Sequence, residues 1–258
     1  MSSLSAGRRH APAQLVLVRH GESVGNLADM DARRRGAPRL DLDIRDADVE
    51  LSDTGREQAR AVGEWIARLP EPQRPTVVLS SPYARALHTA QAALEVLDPD
   101  REPNLVVDER LRERDLGTFD GLTGTGITAD YPEESKRRRK VGKFYYRPPC
   151  GESWCDVALR VRSILNDIRQ EYDDQRVWVF SHQAVIMSFR LVIEGLDEAA
   201  ILNIDSDTPL ANCSLTSYFR DDSGALELHA YADTSAVDRT AAEVTHEPKK
   251  AGQDAGVS

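Results

Sequence analysis

The chain has 258 residues, of which 40% are hydrophobic and 29% charged, and a formal net charge of −10. That length and composition suit a soluble globular protein of one α/β domain, with a core large enough to stand without disulfide support. The acidic balance argues against the basic surface that duplex nucleic acid selects, and no apolar run approaches the ~20 residues that span a bilayer, so neither nucleic acid nor membrane is an expected partner.

Residues 1–13 are polar and are expected to form a flexible N-terminus. No apolar stretch precedes Ala11, so no signal peptide is expected. Residues 14–18, QLVLV, read as a buried strand that runs straight into Arg19-His20-Gly21-Glu22-Ser23. Residues 29–50 are rich in Asp, Arg, Gly and Pro without a period, which predicts an irregular surface segment. Ser52 or Asp53 can cap a helix in which Ala59, Val62, Ile66 and Leu69 recur at helical spacing, and Pro70 ends it. A second buried strand is expected at 76–79, then Ser80-Ser81-Pro82, with Pro82 suited to the first turn of a helix over 82–97. A short strand follows at 105–107.

From 120 to 150 the pattern dissolves into Gly, Pro, Tyr and the basic run Lys136-Arg137-Arg138-Arg139-Lys140. Irregular segments of this length are often lids or binding loops. Ser153 can cap a helix to Tyr172 with Val157, Val161, Ile164, Leu165 and Ile168 on one face. A third buried strand at 177–180 ends at Ser181-His182-Gln183, and a helix is expected from there to Glu194. Strands at 214–219 and 225–231 suit an edge hairpin. From residue 234 to 258 the chain turns polar and is expected to be disordered. Residues 14–233 are therefore expected to form one domain. Alternating strands and helices predict a three-layer α/β/α sandwich, a mostly parallel sheet with an antiparallel edge. Cys150, Cys155 and Cys213 are an odd number without a C-x-x-C pair, which suits reduced thiols in the cytoplasm.

Three buried runs end in polar clusters: Arg19-His20, Ser80-Ser81 ahead of Arg85, and His182. Ligands of open parallel sheets bind outside the carboxyl ends of the strands, so two histidines and two arginines are expected to share one crevice if those strands are neighbours. Neutral imidazole is a nucleophile at pH 7, and guanidinium groups bind phosphate oxygens in pairs. Such a group suits phosphoryl transfer by positioning and charge neutralisation, with a carboxylic acid supplying the leaving group's proton.

Leu17-Val18-Arg19-His20-Gly21-Glu22-Ser23 with Asn26 resembles the R-H-G signature of the histidine phosphatase superfamily, which includes the phosphoglycerate mutases. Ser80-Ser81-Pro82 with Arg85-Ala86 and Thr89-Ala90, the segment from Leu111 to Gly117, and Ser181-His182 resemble its other motifs. The resemblance covers residues 14 to about 220 and implies a phosphoglycerate mutase-like fold with no metal and no other cofactor. It implies that His20 carries the phosphoryl group, that Arg19, Arg85 and His182 hold its oxygens with Ser23 and Asn26 lining the pocket, and that Glu113 donates and then takes the proton.

Tyr131-Pro132-Glu133-Glu134, the run Lys143-Phe144-Tyr145-Tyr146-Arg147, Gly151-Glu152-Ser153 and His182-Gln183 are similar to the bisphosphatase half of the fructose-2,6-bisphosphate enzyme. In that family a basic pair grips a second phosphate. Arg138 or Arg139 and Lys143 match those positions, and Gln183 matches a substrate-side glutamine, while Gly124 stands near the place of an expected tyrosine. The same pattern with Asn212-Cys213-Ser214 is also similar to small stand-alone phosphatases. The expected partner is a phosphorylated small molecule such as a sugar phosphate, and the expected assembly a monomer or homodimer. Leu116-Gly117 and Gln183-Ala184 depart from the mutase pattern. Three readings stay open: a phosphomonoesterase, a mutase, and a non-catalytic module that binds phosphorylated ligands.

Overall fold

A computed structural model describes residues 10–98 and 103–246. Six strands form one sheet in the order β3-β2-β4-β1-β5-β6: β1 Gln14–Arg19, β2 Val77–Ser80, β3 Asn104–Val107, β4 Arg176–Ser181, β5 Leu215–Arg220 and β6 Leu226–Asp233. β3, β2, β4 and β1 run parallel, and β5 and β6 form the antiparallel edge. The three strands that lead into the polar clusters are thus consecutive in the sheet.

The interiors of the buried strands β1, β2 and β4 are continuous apolar runs because both of their faces are covered. Leu15 and Leu17 of β1, with Val177 and Val179 of β4, face one core. That core is completed by α6 (Trp154–Glu171) through Val157, Val161, Ile164, Leu165 and Ile168, and by α7 (Gln183–Ile193) through Ile186 and Phe189. Val16, Val18, Trp178 and Phe180 face the other way. There they meet Val62 and Ile66 of α2 (Asp53–Arg68) and Ala90, Ala93 and Leu94 of α3 (Ala84–Leu94). This is the three-layer sandwich the alternation of elements predicts. Ser52 caps α2 and Ser153 caps α6, whereas α3 begins two residues after Pro82.

Four helices between residues 24 and 207 depart from the sequence expectation, and all lack an apolar period. The segment expected to be irregular from residue 29 instead begins inside α1 (Val24–Arg35), whose only buried residue is Ala32. A Ser23–Asn26 capping box starts it, and Arg33, Arg34 and Arg35 with a left-handed Gly36 end it, so its termini rather than a hydrophobic stripe define it. The expected loop at 120–150 holds α4 (Gly124–Asp130), capped by Thr123, and α5 (Pro132–Val141). α5 buries nothing and carries Glu133 and Glu134 at its start and Arg138, Arg139 and Lys140 at its end, the order that favours a helix dipole. The fourth is α8 (Glu198–Asp207), which buries only Ile201.

The termini are also more ordered than expected. Ala11 is buried, and residues 234–246 pack on the body through α9 (Ser235–Asp238), with Ala236 and Val237 buried against the α2 and α3 side of the sheet. The expectation of flexibility is therefore corrected for 10–13 and of disorder for 234–246; residues 1–9 and 247–258 lie outside the described residues. All three cysteines are free thiols. Among the described residues no helix is long and apolar enough to cross a membrane.

Candidate active site

The pairing of β1 with β4 sets Arg19 beside Ser181, which makes His20 and His182 the next residues out from adjacent strand ends. Their rings lie 5.2 Å apart, centre to centre, tilted by 57°. His20 is 3% exposed and His182 fully buried. The backbone N–H of His20 still donates to Ser181 O at 2.9 Å, so the nucleophile candidate sits on the last rung of the ladder.

His20 Nδ1 lies 2.7 Å from the carbonyl oxygen of Gly21. A carbonyl only accepts, so Nδ1 carries the proton and Nε2 keeps its lone pair. The loop that supplies this carbonyl is held closely. Gly21 N–H donates to Thr89 Oγ1 at 2.9 Å. A Cβ at Gly21 would sit 2.6 Å from the Gly55 carbonyl oxygen, and one at Gly55 would sit 1.9 Å from that of Glu22. The loop and the first turn of α2 therefore touch backbone to backbone, which only glycine at both positions allows.

His182 Nε2 lies 2.8 Å from Ser81 Oγ, at the end of β2, and that oxygen accepts the Tyr83 N–H at 3.2 Å. Letting Ser81 donate to Nε2 uses its one proton and leaves the ring proton on Nδ1. Nδ1 makes no hydrogen bond and is 4.0 Å from Glu113 Oε2. The other carboxylate oxygen of Glu113 accepts the Arg114 N–H at 2.8 Å, which fixes the rotamer. Arg160 of α6 anchors the whole acid segment: it donates to Arg110 O, Glu113 O and both oxygens of Glu152.

Arg19 and Arg85 are 1% and 5% exposed. Arg19 donates to Leu210 O. Arg85 donates through both terminal nitrogens to the carboxylate of Asp46, at 2.9 and 3.1 Å, and to the Asp46 carbonyl at 2.6 Å. Burial pushes the His20 pKa well below its ordinary value, and the positive charges of Arg85 and Arg19 push it further. Burial and Arg85 act the same way on His182. Both rings are therefore neutral at pH 7.

That depression has a consequence for stability. As pH falls below about 6.5 the unfolded chain protonates both imidazoles while the folded one does not, so each destabilises the fold progressively on the acid side. The stabilisation is present above about pH 6.5 and is lost on the acid side. The thermal midpoint is expected to fall from pH 7 to 5, with a shallower slope in His182→Gln; equal slopes in the two proteins would remove this account.

The remaining expected site residues divide. Ser23 and Asn26 reside at the start of α1, where their side chains cap each other's backbone. Gln183 Nε2 and Lys143 Nζ both bind Asp205 of α8, at 2.7 and 3.0 Å. Lys143 is thus paired with a carboxylate. Arg138 is half-buried and its charge disfavours that of Arg114, whereas Arg139 is exposed on α5, so Arg138 is the member of the pair that faces inward.

Sequence reasoning missed Asp46, Asp205 and Arg114. The two aspartates lie in stretches with no periodic signal. Arg114 was legible only as a charge next to Glu113, yet its Nε is buried and makes no hydrogen bond, and burial and Arg138 both lower its pKa. Among the described residues, no group of three or more His, Cys, Asp or Glu is arranged to hold a metal ion.

The family model described as the histidine phosphatase superfamily, branch 1, matches residues 15–234. A 2,3-bisphosphoglycerate-dependent phosphoglycerate mutase of Gloeobacter violaceus is 32% identical over 195 residues, 75% of this chain and 81% of that protein. A glucosyl-3-phosphoglycerate phosphatase of Mycolicibacterium vanbaalenii is 31% identical over 190 residues, 71% of this chain and 75% of that one. A bifunctional protein of Mycobacterium tuberculosis is 31% identical over 224 residues, 86% of this chain, which spans only 55% of that longer protein. Among solved structures, a mycobacterial glucosyl-3-phosphoglycerate phosphatase in complex with inorganic phosphate matches with a TM-score of 0.66 at 26% identity, over 87% of this chain and 99% of that one. A pair of buried imidazoles at neighbouring strand ends, a carboxylate beside them and a match across residues 15–234 place this chain in the histidine phosphatase superfamily.

Proposed function

We propose that the protein is a phosphatase that hydrolyses a phosphomonoester of a small metabolite through a phosphohistidine on His20. The observation that carries this reading is the hydrogen bond from His20 Nδ1 to Gly21 O, which presents Nε2 as an unprotonated nucleophile inside a pocket with two buried guanidinium groups. In the first step the Nε2 lone pair attacks phosphorus and the bond from phosphorus to the ester oxygen breaks. The protonated carboxyl of Glu113 gives its proton to that oxygen. In the second step Glu113 takes a proton from water as the water oxygen attacks phosphorus, and the bond from phosphorus to Nε2 breaks, regenerating neutral His20. Arg19, Arg85 and the Nδ1–H of His182 offset charge on the phosphoryl oxygens, with Arg85 exchanging Asp46 for substrate.

Arg114 Nε and Gln183 Oε1 are buried groups without hydrogen bonds, and the charge of Arg138 acts on Arg114. They suit a metabolite with hydroxyls and a second anionic group, and we assign Arg114 and Arg138 to it in preference to Arg139 and Lys143. The three free thiols fit a reducing, cytoplasmic setting.

The mutase relative in Gloeobacter violaceus keeps a second reading, return of the phosphoryl group to another hydroxyl instead of to water. One experiment decides between them. The protein is incubated with labelled substrate and quenched in alkali, which preserves a phosphoramidate, and is separately given 3-phosphoglycerate with a bisphosphoglycerate primer. An alkali-stable, acid-labile label on His20 with release of inorganic phosphate is the expected result. Isomerisation without phosphate release would replace hydrolase with mutase, and no label at all would remove the phosphohistidine.

A further inference from the structure

The segment 243–245, far from His20 in sequence and outside every motif read from it, is tied to the nucleophile's loop by two buried amides. Gln58 of α2 is fully buried and fully used. Its Oε1 accepts the Glu22 N–H at 2.9 Å, and its Nε2 donates to Glu243 O at 2.6 Å and to Thr245 Oγ1 at 2.9 Å. Asn212 is 1% exposed. Its N–H donates to Thr245 O at 3.0 Å and its Oδ1 accepts the Thr245 hydroxyl at 3.0 Å. Its Nδ2 donates to His20 O at 3.1 Å and to Asn26 Oδ1 at 3.4 Å.

The Thr245 hydroxyl joins the two amides, accepting from Gln58 and donating to Asn212. This direction of donation leaves no ambiguity in either amide: turning Gln58 or Asn212 over would set donor against donor at Glu22 N–H or acceptor against acceptor at His20 O. The two anchored backbone groups, His20 C=O and Glu22 N–H, flank Gly21, whose own carbonyl holds the His20 ring proton. Rotation of that short loop would carry the Gly21 carbonyl off the ring and release both the tautomer and the direction of Nε2.

We infer that Thr245, acting through Gln58 and Asn212, is a positioning residue for His20, which makes the segment 243–245 a working part of the active site. The inference rests on His20 being the nucleophile, as argued under the proposed function. Val244 and Ala242 pack against the α2 and α3 side of the sheet, so the segment has its own apolar hold and Thr245→Val removes the hydroxyl without removing the strap.

The test compares Thr245→Val and Thr245→Ser with the wild-type chain, measuring kcat and KM on an aryl phosphate and hydrogen exchange at the Glu22 amide. Thr245→Val is expected to lower kcat about tenfold with KM within about twofold, because misdirecting a reacting atom costs rate more than binding. The Glu22 amide is expected to exchange about tenfold faster in that variant, and Thr245→Ser, which keeps the hydroxyl, to restore both. Wild-type kcat and unchanged Glu22 exchange in Thr245→Val would overturn the inference, as would equal losses in the Val and Ser variants. If the wild-type chain releases no phosphate, it is the phosphatase reading that fails, and Glu22 exchange alone then decides whether Thr245 holds the loop.

Discussion

Replacing His20 with alanine is expected to abolish turnover, by at least about 10⁴-fold, because no other group in the pocket can form the covalent intermediate. His182 is the nearest alternative, but its Nε2 is occupied by Ser81 and its Nδ1 points toward Glu113. The fold should survive. The ring of His20 makes one hydrogen bond to its own neighbouring residue, and the strand pairing that places it depends on backbone atoms. A burst of labelled phosphoenzyme in the wild type and none in His20→Ala, with matching circular dichroism, is the expected pair of observations. Residual turnover within tenfold of wild type would remove His20 from the mechanism.

The second large effect is that of Glu113→Gln, and it should depend on the leaving group. Glutamine keeps the shape and can still accept the Arg114 N–H through its carbonyl oxygen, so the acid segment stays where Arg160 holds it. What it loses is the transferable proton. For an alkyl phosphate, whose alkoxide must be protonated as it departs, kcat is expected to fall by about 10²–10⁴. For 4-nitrophenyl phosphate the leaving group departs unaided, so formation of the phosphoenzyme should slow far less, and the intermediate should accumulate because water has lost its base. Rapid-quench measurement of the two steps on both substrates checks this. Equal losses on both substrates, with no accumulation, would mean that Glu113 positions His182 and does not move protons.

The parts of the site legible in the sequence are those where burial and chemistry change abruptly. QLVLV before Arg19-His20, and the apolar run before Ser181-His182, each mark a strand that is covered on both faces and then stops, and a strand end is where a parallel sheet exposes its chemistry. Ser52 and Ser153 announced their helices because a cap was followed by an apolar period. Nothing comparable announces α1, α5 or α8. They commit few side chains to the core, Ala32 of α1 and Ile201 of α8 among them, so much of their stability lies in caps, dipole-matched charge and a few anchors such as Tyr146 to Glu134 at 2.8 Å. The same applies to partners that meet only in three dimensions. Asp46 on Arg85, Asp205 on Gln183 and Lys143, and Thr245 between Gln58 and Asn212 join positions up to 187 residues apart in the chain. Asn212-Cys213-Ser214 was visible as a motif without a role. The structure gives it one: Cys213 takes a left-handed turn, φ 55°, and returns its N–H to the carbonyl of Arg19.

β1 lies inside the sheet, bonded on both sides, with successive side chains committed to opposite cores. An interior strand of this kind opens only when the entire molecule does. The residue at its tip therefore inherits the lifetime of the folded state, so heating should extinguish catalysis and cooperative melting together, without an earlier phase in which the catalytic imidazole drifts loose while the scaffold persists.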